Sequence, residues 1–271
     1  MVWVHDMSLF VYRSRKFNRL YGLVIFLFTF WFLAGLVVVG FGIESAMSGW
    51  SDFTFIALAS LVLLLHLSAN SHGGSALILF SLFMIVSLLV EFSGALLGFP
   101  FGSHEYSANL GPRMFGLVPF AVPLSWWVIV WPLHCLVHSA QAGRGSMVLV
   151  PVITAFWAVV ADMLIEPGAT LVRGYWEWET EGFYYGVPWT NFLSWFVIAF
   201  VLSFAAQVLL PHSPFKREEL RVPVWVLCAT VSLFVFVAIL HGMWWVLAVA
   251  VFFFVCVRRM RKQARSSSLS Q

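Results

Sequence analysis

The segment Leu20–Gly40 reads LYGLVIFLFTFWFLAGLVVVG and contains no charged residue. About 20 apolar residues in helical form span the roughly 30 Å hydrocarbon core of a bilayer, so this segment predicts a membrane helix. Seven further apolar runs follow, and the last is short, which leaves open a helical hairpin with the run before it. They lie at Phe53–Ala69, Ser75–Phe92, Phe115–Val137, Met147–Ile165, Trp189–Leu210, Val222–Leu240 and Met243–Val257.

The composition supports the same fold class. Of the 271 residues, 61% are hydrophobic and only 10% are charged, whereas soluble domains contain about 25% charged residues. This balance excludes a soluble enzyme, a nucleic-acid-binding domain, a disordered chain and a disulfide scaffold. The apolar runs are continuous rather than alternating, which argues against a membrane β-barrel. We therefore expect an all-α integral membrane protein, a polytopic bundle of about eight transmembrane helices forming a single domain over residues 1–271.

The basic residues predict the orientation. If the N-terminus lies inside, all of the 15 Lys and Arg residues except Arg113 and Arg173 fall on the inner side. The positive-inside rule then places both termini in the cytoplasm. Residues 1–19 form a basic N-terminal segment, and residues 258–271 form a basic, Ser-rich tail. We expect this tail to anchor to anionic lipid and to be disordered over Ser266–Gln271.

Three carboxyl groups sit near the predicted outer ends of two spans. Glu91 closes the third run, and Asp162 and Glu166 share one helical face of the fifth run, before Pro167 ends that helix. Ionisable residues in membrane spans are candidates for function, although each could simply mark a helix end. If the three converge, repulsion and desolvation would favour the neutral acid form of at least one, which could then act as a general acid.

Aromatic residues crowd the segment from Tyr175 to Trp195, YWEWETEGFYYGVPWTNFLSW. An interfacial belt explains two or three such rings, but not rings interleaved with Glu177, Glu179 and Glu181. Aromatic faces stabilise cations, so an acid beside several rings could form and shelter a carbocation from an alkene.

The histidines do not indicate a metal site. His134 and His138 form a single HxxxH pair, whereas membrane di-iron enzymes need several such boxes. A haem between His66 and His134 has no supporting motif. The three cysteines lie in apolar runs with no CxxC pair, so neither zinc nor a disulfide is indicated.

Two blocks of sequence resemble the integral-membrane carotenoid biosynthesis family, which includes CruF-type acyclic carotenoid 1,2-hydratases and bisanhydrobacterioruberin hydratases. The first block is EFSGALLGFPFGSHEY, from Glu91 to Tyr106, followed by Leu110-Gly111-Pro112. The second block includes Asp162, Glu166-Pro167, Trp176-Glu177-Trp178, GFYYGVP from Gly182 to Pro188, Asn191-Phe192 and Trp195. The family leads us to expect an aromatic residue, usually Tyr, where His104 stands, a departure that bears on the substrate.

The resemblance implies a hydration without a cofactor at the terminal 1,2 double bond of a carotenoid ψ-end. The partners would be a lipid-soluble carotenoid, water and membrane lipids, in a prokaryotic cytoplasmic membrane. We expect Asp162 or Glu91 to donate the proton and Glu166 to activate the water. The expected substrate-contacting residues are Phe101, Gly102, His104, Tyr106, Trp176, Trp178, Tyr184, Tyr185, Asn191 and Trp195, whereas Gly94 and Gly98 are expected to serve packing.

Three other functions remain open from the sequence. The same acid and rings would suit an isomerase or a cyclase of isoprenoid metabolism, which add no water. A carotenoid- or lipid-binding subunit would need no catalysis, and a transporter would suit the Gly- and Pro-interrupted spans, although no paired repeat is visible.

Overall fold

The computed structural model describes residues 15–43, 48–71, 74–141, 147–210 and 219–267. Within these ranges the chain forms eight α-helices that follow the eight predicted apolar runs. They are α1 (Arg15–Gly40), α2 (Ser48–Asn70), α3 (Ser75–Leu97), α4 (Ala121–Ala140), α5 (Leu149–Pro167), α6 (Trp189–Leu209), α7 (Arg221–Leu240) and α8 (Trp244–Ser267). Helices α1 to α7 each contain a stretch long and apolar enough to cross a membrane. The predicted all-α polytopic membrane fold is confirmed.

The final helix extends beyond its apolar run. The predicted span ends at Val257, but α8 continues through the basic residues to Ser267. The first two residues of the segment expected to be disordered are therefore helical, and residues 268–271 lie outside the described ranges. So do residues 1–14, 144 and 216–217, which hold several of the basic residues used to predict the orientation, and that orientation stays a prediction.

Helices α1 and α2 run in opposite directions. Near the start of α1 the Tyr21 hydroxyl bonds His66 Nδ1 at 2.8 Å, and further along α1 the Trp31 indole donates to the carbonyl oxygen of Ser51 at 3.0 Å. These partners lie at opposite ends of α2, so α1 and α2 are antiparallel. Helices α7 and α8 are joined by the short turn His241–Met243, in which Gly242 adopts a φ of 75°.

Helix α4 forms the centre of the bundle and α1 lies at its edge. Almost every residue of α4 is buried, because α2, α3, α5, α6, α7 and α8 all pack against it. Helix α1 packs mainly on α2 and α7 and leaves most of its surface exposed. An exposed apolar surface of this kind is suited to lipid contact.

The two long connections are structured rather than irregular. They lie at the end of the bundle remote from the basic start of α1, which we call the outer end after its predicted side. Strand β1 (His104–Tyr106) lies between α3 and α4 and pairs antiparallel with β4 (Trp176–Trp178), which lies between α5 and α6. The register places His104 opposite Trp178 and Tyr106 opposite Trp176. A 3₁₀ helix, Ala108–Leu110, follows β1. This small sheet ties the two motif blocks together across the outer end of the bundle.

The predicted fourth span begins too early. Strands β2 (Arg113–Met114) and β3 (Val118–Pro119) form a hairpin, and α4 starts only at Ala121. Phe115 and Gly116 have φ values of 49° and 73° at the turn. Positive φ at both central residues is the type I′ geometry that suits a tight hairpin. The apolar character of Phe115–Phe120 therefore belongs to this hairpin and not to the helix.

The α-helix of the fifth span ends at Pro167 as expected, but the chain then makes one further, wider helical turn. Helix α5 ends at Pro167, and a π-helical turn, Gly168–Val172, follows it directly. The amide of Arg173 donates to the carbonyl oxygen of Gly168 at 3.0 Å, a step of five residues. Such wider turns often occur at functional sites, and this one lies next to Glu166.

Candidate active site

The three predicted carboxyl groups converge on one cavity at the outer end of the bundle, opposite the basic start of α1. The cavity has a volume of about 120 Å³, measured as the space open to the centre of a water molecule. Space of this size holds several waters or the end of an apolar chain. Glu91, Asp162 and Glu166 all line it and are 2–3% exposed. The converging acids expected from the sequence are therefore present.

Glu91 is held by two hydrogen-bond donors. The Tyr106 hydroxyl donates to Glu91 Oε2 at 2.6 Å, and the Trp126 indole N–H donates to Glu91 Oε1 at 2.7 Å. One donor comes from β1 and the other from α4, so the carboxyl joins the outer sheet to the central helix. Each of these donors favours the carboxylate form of this side chain, whereas its burial disfavours a charge.

Asp162 and Glu166 share a single amide. They lie four residues apart on α5 and therefore point to the same side. The Asn191 side-chain N–H₂ group donates to Asp162 Oδ2 at 2.8 Å and to Glu166 Oε1 at 3.2 Å. The Trp178 indole donates to Glu166 Oε2 at 3.3 Å. Asn191 in the first turn of α6 thus fixes the two carboxyls relative to each other.

An aromatic wall faces the acids because strands β1 and β4 alternate. Side chains two apart on a strand share a face, so His104 and Tyr106 lie on the inner face of the sheet with Trp176 and Trp178. The His104 ring lies 5.0 Å from both Tyr106 and Trp178, and the Tyr106 ring lies 6.0 Å from Trp176. The acids interleaved in the sequence point away, since Glu105 and Glu177 are exposed.

A second set of rings completes the wall from the helices. Trp126 of α4 stacks on Trp195 of α6 with ring centroids 3.9 Å apart, and Phe101 lies 6.4 Å from Trp126. All three line the cavity. Aromatic faces on several sides of the acids form a site that can stabilise a cation in a desolvated space.

Two titratable residues on the inner face of the sheet, His104 and Tyr106, are held in neutral forms. Burial, together with the nearby Glu91, raises the pKa of Tyr106 well above its ordinary value, so its hydroxyl remains a donor. Burial lowers the pKa of His104, although its hydrogen bond to the carbonyl oxygen of Gly102 and the charge of Glu179 act in the opposite direction. The side chain that replaces the expected aromatic residue is therefore an uncharged ring near pH 7.

Three of the residues expected to contact substrate do not line this cavity. Tyr184 donates to the carbonyl oxygen of Met163 at 2.9 Å and packs against Tyr185 in a turn closed by Val187. Tyr185 and Gly186 occupy the central turn positions, with φ values of 50° and 82°. Gly102, with a φ of 113°, lies in the connecting loop, where an added Cβ would approach Thr190 at 3.3 Å. These residues shape the loops around the cavity.

The packing role expected for Gly94 is explained by its neighbours. A Cβ at Gly94 would lie 2.8 Å from the Phe101 ring and 3.2 Å from the His104 ring. Only glycine lets these two cavity rings lie against α3. Gly98 has a φ of 67° and ends α3, which releases the chain into the loop that carries both rings.

The sequence did not identify several residues that line the cavity. Asp52 at the start of α2 pairs with Arg173 and accepts a hydrogen bond from the Tyr175 hydroxyl at 2.7 Å. Burial and the neighbouring Asp52 raise the pKa of Tyr175. A signal was available, since Asp52 and Arg173 are an acid and a base beside two predicted outer span ends. Trp31 of α1 gave no such signal.

Two buried helix histidines, His66 and His134, are hydrogen-bonded within the protein and do not line the cavity. His66 bonds Tyr21, and His134 Nδ1 lies 2.9 Å from the Ser203 hydroxyl. Within the described ranges, no group of three His, Cys, Asp or Glu side chains is placed to hold a metal ion.

The sequence of this helical membrane bundle matches a known family. A sequence model of the family described as "Carotenoid biosynthesis protein" matches residues 51–257, and the chain belongs to that family. The matched range contains every cavity residue except those contributed by α1.

One curated relative gives a more particular comparison. The bisanhydrobacterioruberin hydratase of Haloarcula japonica is 31% identical over 169 residues, which cover 62% of this chain and 54% of that protein. The chain therefore spans about half the length of this curated relative. No solved structure matches the chain.

Proposed function

We propose that the protein is a hydratase that adds water to the terminal 1,2 double bond of an acyclic carotenoid ψ-end. The observation that carries this proposal is the convergence of Glu91, Asp162 and Glu166 on one cavity walled by aromatic rings. Hydration of an unactivated alkene needs a proton donor, shelter for a cation and a base for water. The family match and the name of the relative support the same reaction class.

Asp162 is the proton donor in this proposal. Its proton forms a C–H bond at C-2 with the π electrons of the double bond, which leaves a tertiary cation at C-1. Glu91 is less suited to this step because it accepts two donors, from Tyr106 and Trp126, that favour its carboxylate form. We assign Glu91 to electrostatic stabilisation of the cation, together with the rings of Trp176 and Trp178.

Glu166 completes the reaction as the base. Water forms the C–O bond at C-1 and transfers one proton to Glu166, which gives a tertiary alcohol. The Glu166 proton then returns to Asp162, since one amide of Asn191 holds both carboxyls. The balance is one added water, and no oxidant or reductant is required.

The experiment that tests this function is product analysis in a bacterial host that makes lycopene. Liquid chromatography and mass spectrometry should find a more polar pigment that carries one or two added waters. Asp162→Asn should abolish this product while the protein still inserts in the membrane. Glu177→Gln is the matched control, because Glu177 lies between two cavity tryptophans but faces away from the cavity.

Two results would contradict the proposal. A product of unchanged mass would indicate isomerisation or cyclisation, which use the same acid and rings. Unmodified lycopene bound equally by the protein and by Asp162→Asn would indicate a pigment-binding subunit.

We further propose that the protein lies in a prokaryotic cytoplasmic membrane with the cavity on the outer side. The basic residues Arg15 and Arg19 begin α1, and Arg258 to Lys262 lie in the last part of α8, at the ends remote from the cavity. Phe183, which is 84% exposed in the outer loop, is a suitable cysteine-labelling position. Labelling of Phe183→Cys only from the cytoplasmic side would overturn this orientation.

A further inference from the structure

A second cavity lies beside the acid cavity, at the edge of the bundle. It has a volume of about 180 Å³ by the same measure and lies between α1 and α7. Both cavities are lined by Trp31 and Gly35 of α1 and by Leu233 and Phe234 of α7. These shared residues lie between the two spaces, and we call this place the junction.

The second cavity reaches the apolar lateral surface of the bundle. It is lined by Phe30, which is 56% exposed, and by Val38, which is 39% exposed. Both belong to α1, the peripheral helix whose exposed face is suited to lipid. Its polar lining comes from Asp52, Arg173 and Tyr175, which lie near the outer helix ends. An apolar chain in this cavity would therefore extend away from the polar end, along α1 and α7.

The proposed substrate is too long for the acid cavity alone. A carotenoid is about as long as the bilayer is thick, roughly 30 Å, whereas the acid cavity has room only for one end of such a molecule. The rest of the polyene must pass out of the cavity while the three carboxyls stay out of contact with lipid. A lateral opening between two helices meets this need because the polyene stays in an apolar environment throughout.

Gly35 of α1 faces Leu233 of α7 at the junction. A Cβ built there would lie 3.7 Å from both terminal methyl carbons of Leu233. This is ordinary van der Waals contact, so alanine fits, but a longer side chain must project into the junction. Gly22 lies on the same helix, and a Cβ there would meet nothing within 4 Å.

We infer that the opening between α1 and α7 at Gly35 and Leu233 is the lateral portal through which the substrate reaches the acids and in which its polyene lies during the reaction. This inference rests on the proposed hydration, because it takes the long apolar substrate from that proposal. It assigns selection of the substrate's polyene to residues of α1 and α7, which lie outside the two motif blocks and do not touch the reacting double bond.

Gly35→Leu tests the portal, with Gly22→Leu as the matched control. Each protein is produced in lycopene-making cells at equal membrane levels, and its melting temperature in detergent is compared with that of the wild type. Hydrated product and lycopene bound per purified protein are both measured. The leucine side chain must occupy the junction, so Gly35→Leu should lower both readouts by about tenfold or more.

Two further variants separate a blocked portal from a damaged fold. Gly35→Ala should lower product and bound lycopene less than Gly35→Leu does, because its Cβ makes only ordinary contact with Leu233. Leu233→Ala, added to Gly35→Leu, should restore both product and bound lycopene by reopening the junction. Unchanged product from the folded Gly35→Leu protein would overturn the portal while leaving the hydratase intact. Equal losses in Gly22→Leu and Gly35→Leu would also overturn it. If the wild type neither binds nor hydrates lycopene, the proposed function itself fails and the portal fails with it.

Discussion

The shared amide of Asn191 is the most specific feature of the acid cluster, and replacing it gives a quantitative test. Asn191→Leu keeps the approximate size of the side chain but removes the donor that reaches Asp162 at 2.8 Å and Glu166 at 3.2 Å. Asn191 is 2% exposed, so bulk solvent does not directly replace the lost donor. Both carboxyls then lose a partner while remaining adjacent and buried.

The expected loss follows from the strength of such bonds. Hydrogen bonds to charged groups contribute about 1.5–3 kcal/mol, and a tenfold change in rate corresponds to about 1.4 kcal/mol. If the amide stabilises the carboxylate that forms at Asp162 on proton transfer, Asn191→Leu should lower the hydration rate by about 10- to 150-fold. A larger loss of rate would require that the variant is unfolded, and its melting temperature shows whether it is.

The assay measures initial rates of lycopene hydration in membranes that contain equal amounts of protein. Asn70→Leu is the matched control, because Asn70 also donates from its side-chain amide, to the carbonyl oxygen of His66 at 2.9 Å, at the opposite end of α2 from the cavity. It should cost some stability but little activity per folded protein. A rate for Asn191→Leu within about twofold of the wild type would refute the role of the shared amide.

Three other outcomes follow from individual contacts. Tyr106→Phe removes one of the two donors to Glu91 and should lower hydration about tenfold without unfolding, as measured by the same rate assay. Asp52→Asn removes the ion pair between Asp52 and Arg173, in which both side chains are about one-quarter exposed. This change should lower the melting temperature by about 2–4 °C, and by less at high salt. Burial lowers the pKa of His104, so the folded protein resists its protonation and loses stability as the pH falls below the ordinary histidine value of about 6.5. Melting temperatures measured from pH 7.5 to 5 should therefore fall less steeply for His104→Phe than for the wild type.

The helical framework could be predicted from the sequence because a single physical requirement governs it. A chain in lipid must satisfy its backbone internally over a fixed thickness, so apolar runs of the right length become helices. The spacing of Asp162 and Glu166 likewise fixed their common direction, since residues four apart share a helix face. Phe115–Phe120 was wrongly assigned to a helix, because hydropathy does not depend on the backbone angles that form the tight turn.

The aromatic wall could only partly be predicted. The alternation Trp176-Glu177-Trp178 has the period of a strand and indicates one inward and one outward face. Its partner could not be found this way, because β1 lies about 70 residues earlier and its register with β4 depends on the packing of α3 against α6 and of α5 against α6. The aromatic density of residues 175–195 was also misleading in part, since Tyr184 and Tyr185 form a turn beside the cavity.

The cavity side formed by α1 and α7 lay beyond sequence reasoning. Trp31 and Gly35 occur in an apolar run whose composition is explained entirely by lipid, so neither residue is distinctive. Their importance arises from where α1 packs, which depends on contacts between whole helices rather than on any local pattern. A site in a membrane bundle thus combines residues that the sequence identifies by their chemical groups with residues that only the packing of the helices identifies.

The division of roles between Glu91 and Asp162, which the sequence left open, can be decided by amide substitution at each position. Asp162→Asn can still accept the Asn191 hydrogen bond, but it has no acidic proton to give. General acid catalysis contributes about 10²- to 10⁴-fold, and hydration should fall by that amount.

Glu91→Gln has a different defect, because its N–H₂ group must face one of two donors, Tyr106 or Trp126. If Glu91 only stabilises the cation, this variant should lose about 10- to 100-fold. Lycopene retained by both purified proteins would show that each cavity still binds substrate. An Asp162→Asn protein that hydrates lycopene faster than Glu91→Gln would reverse the assignment, and Glu91 would then be the proton donor despite its two hydrogen bonds.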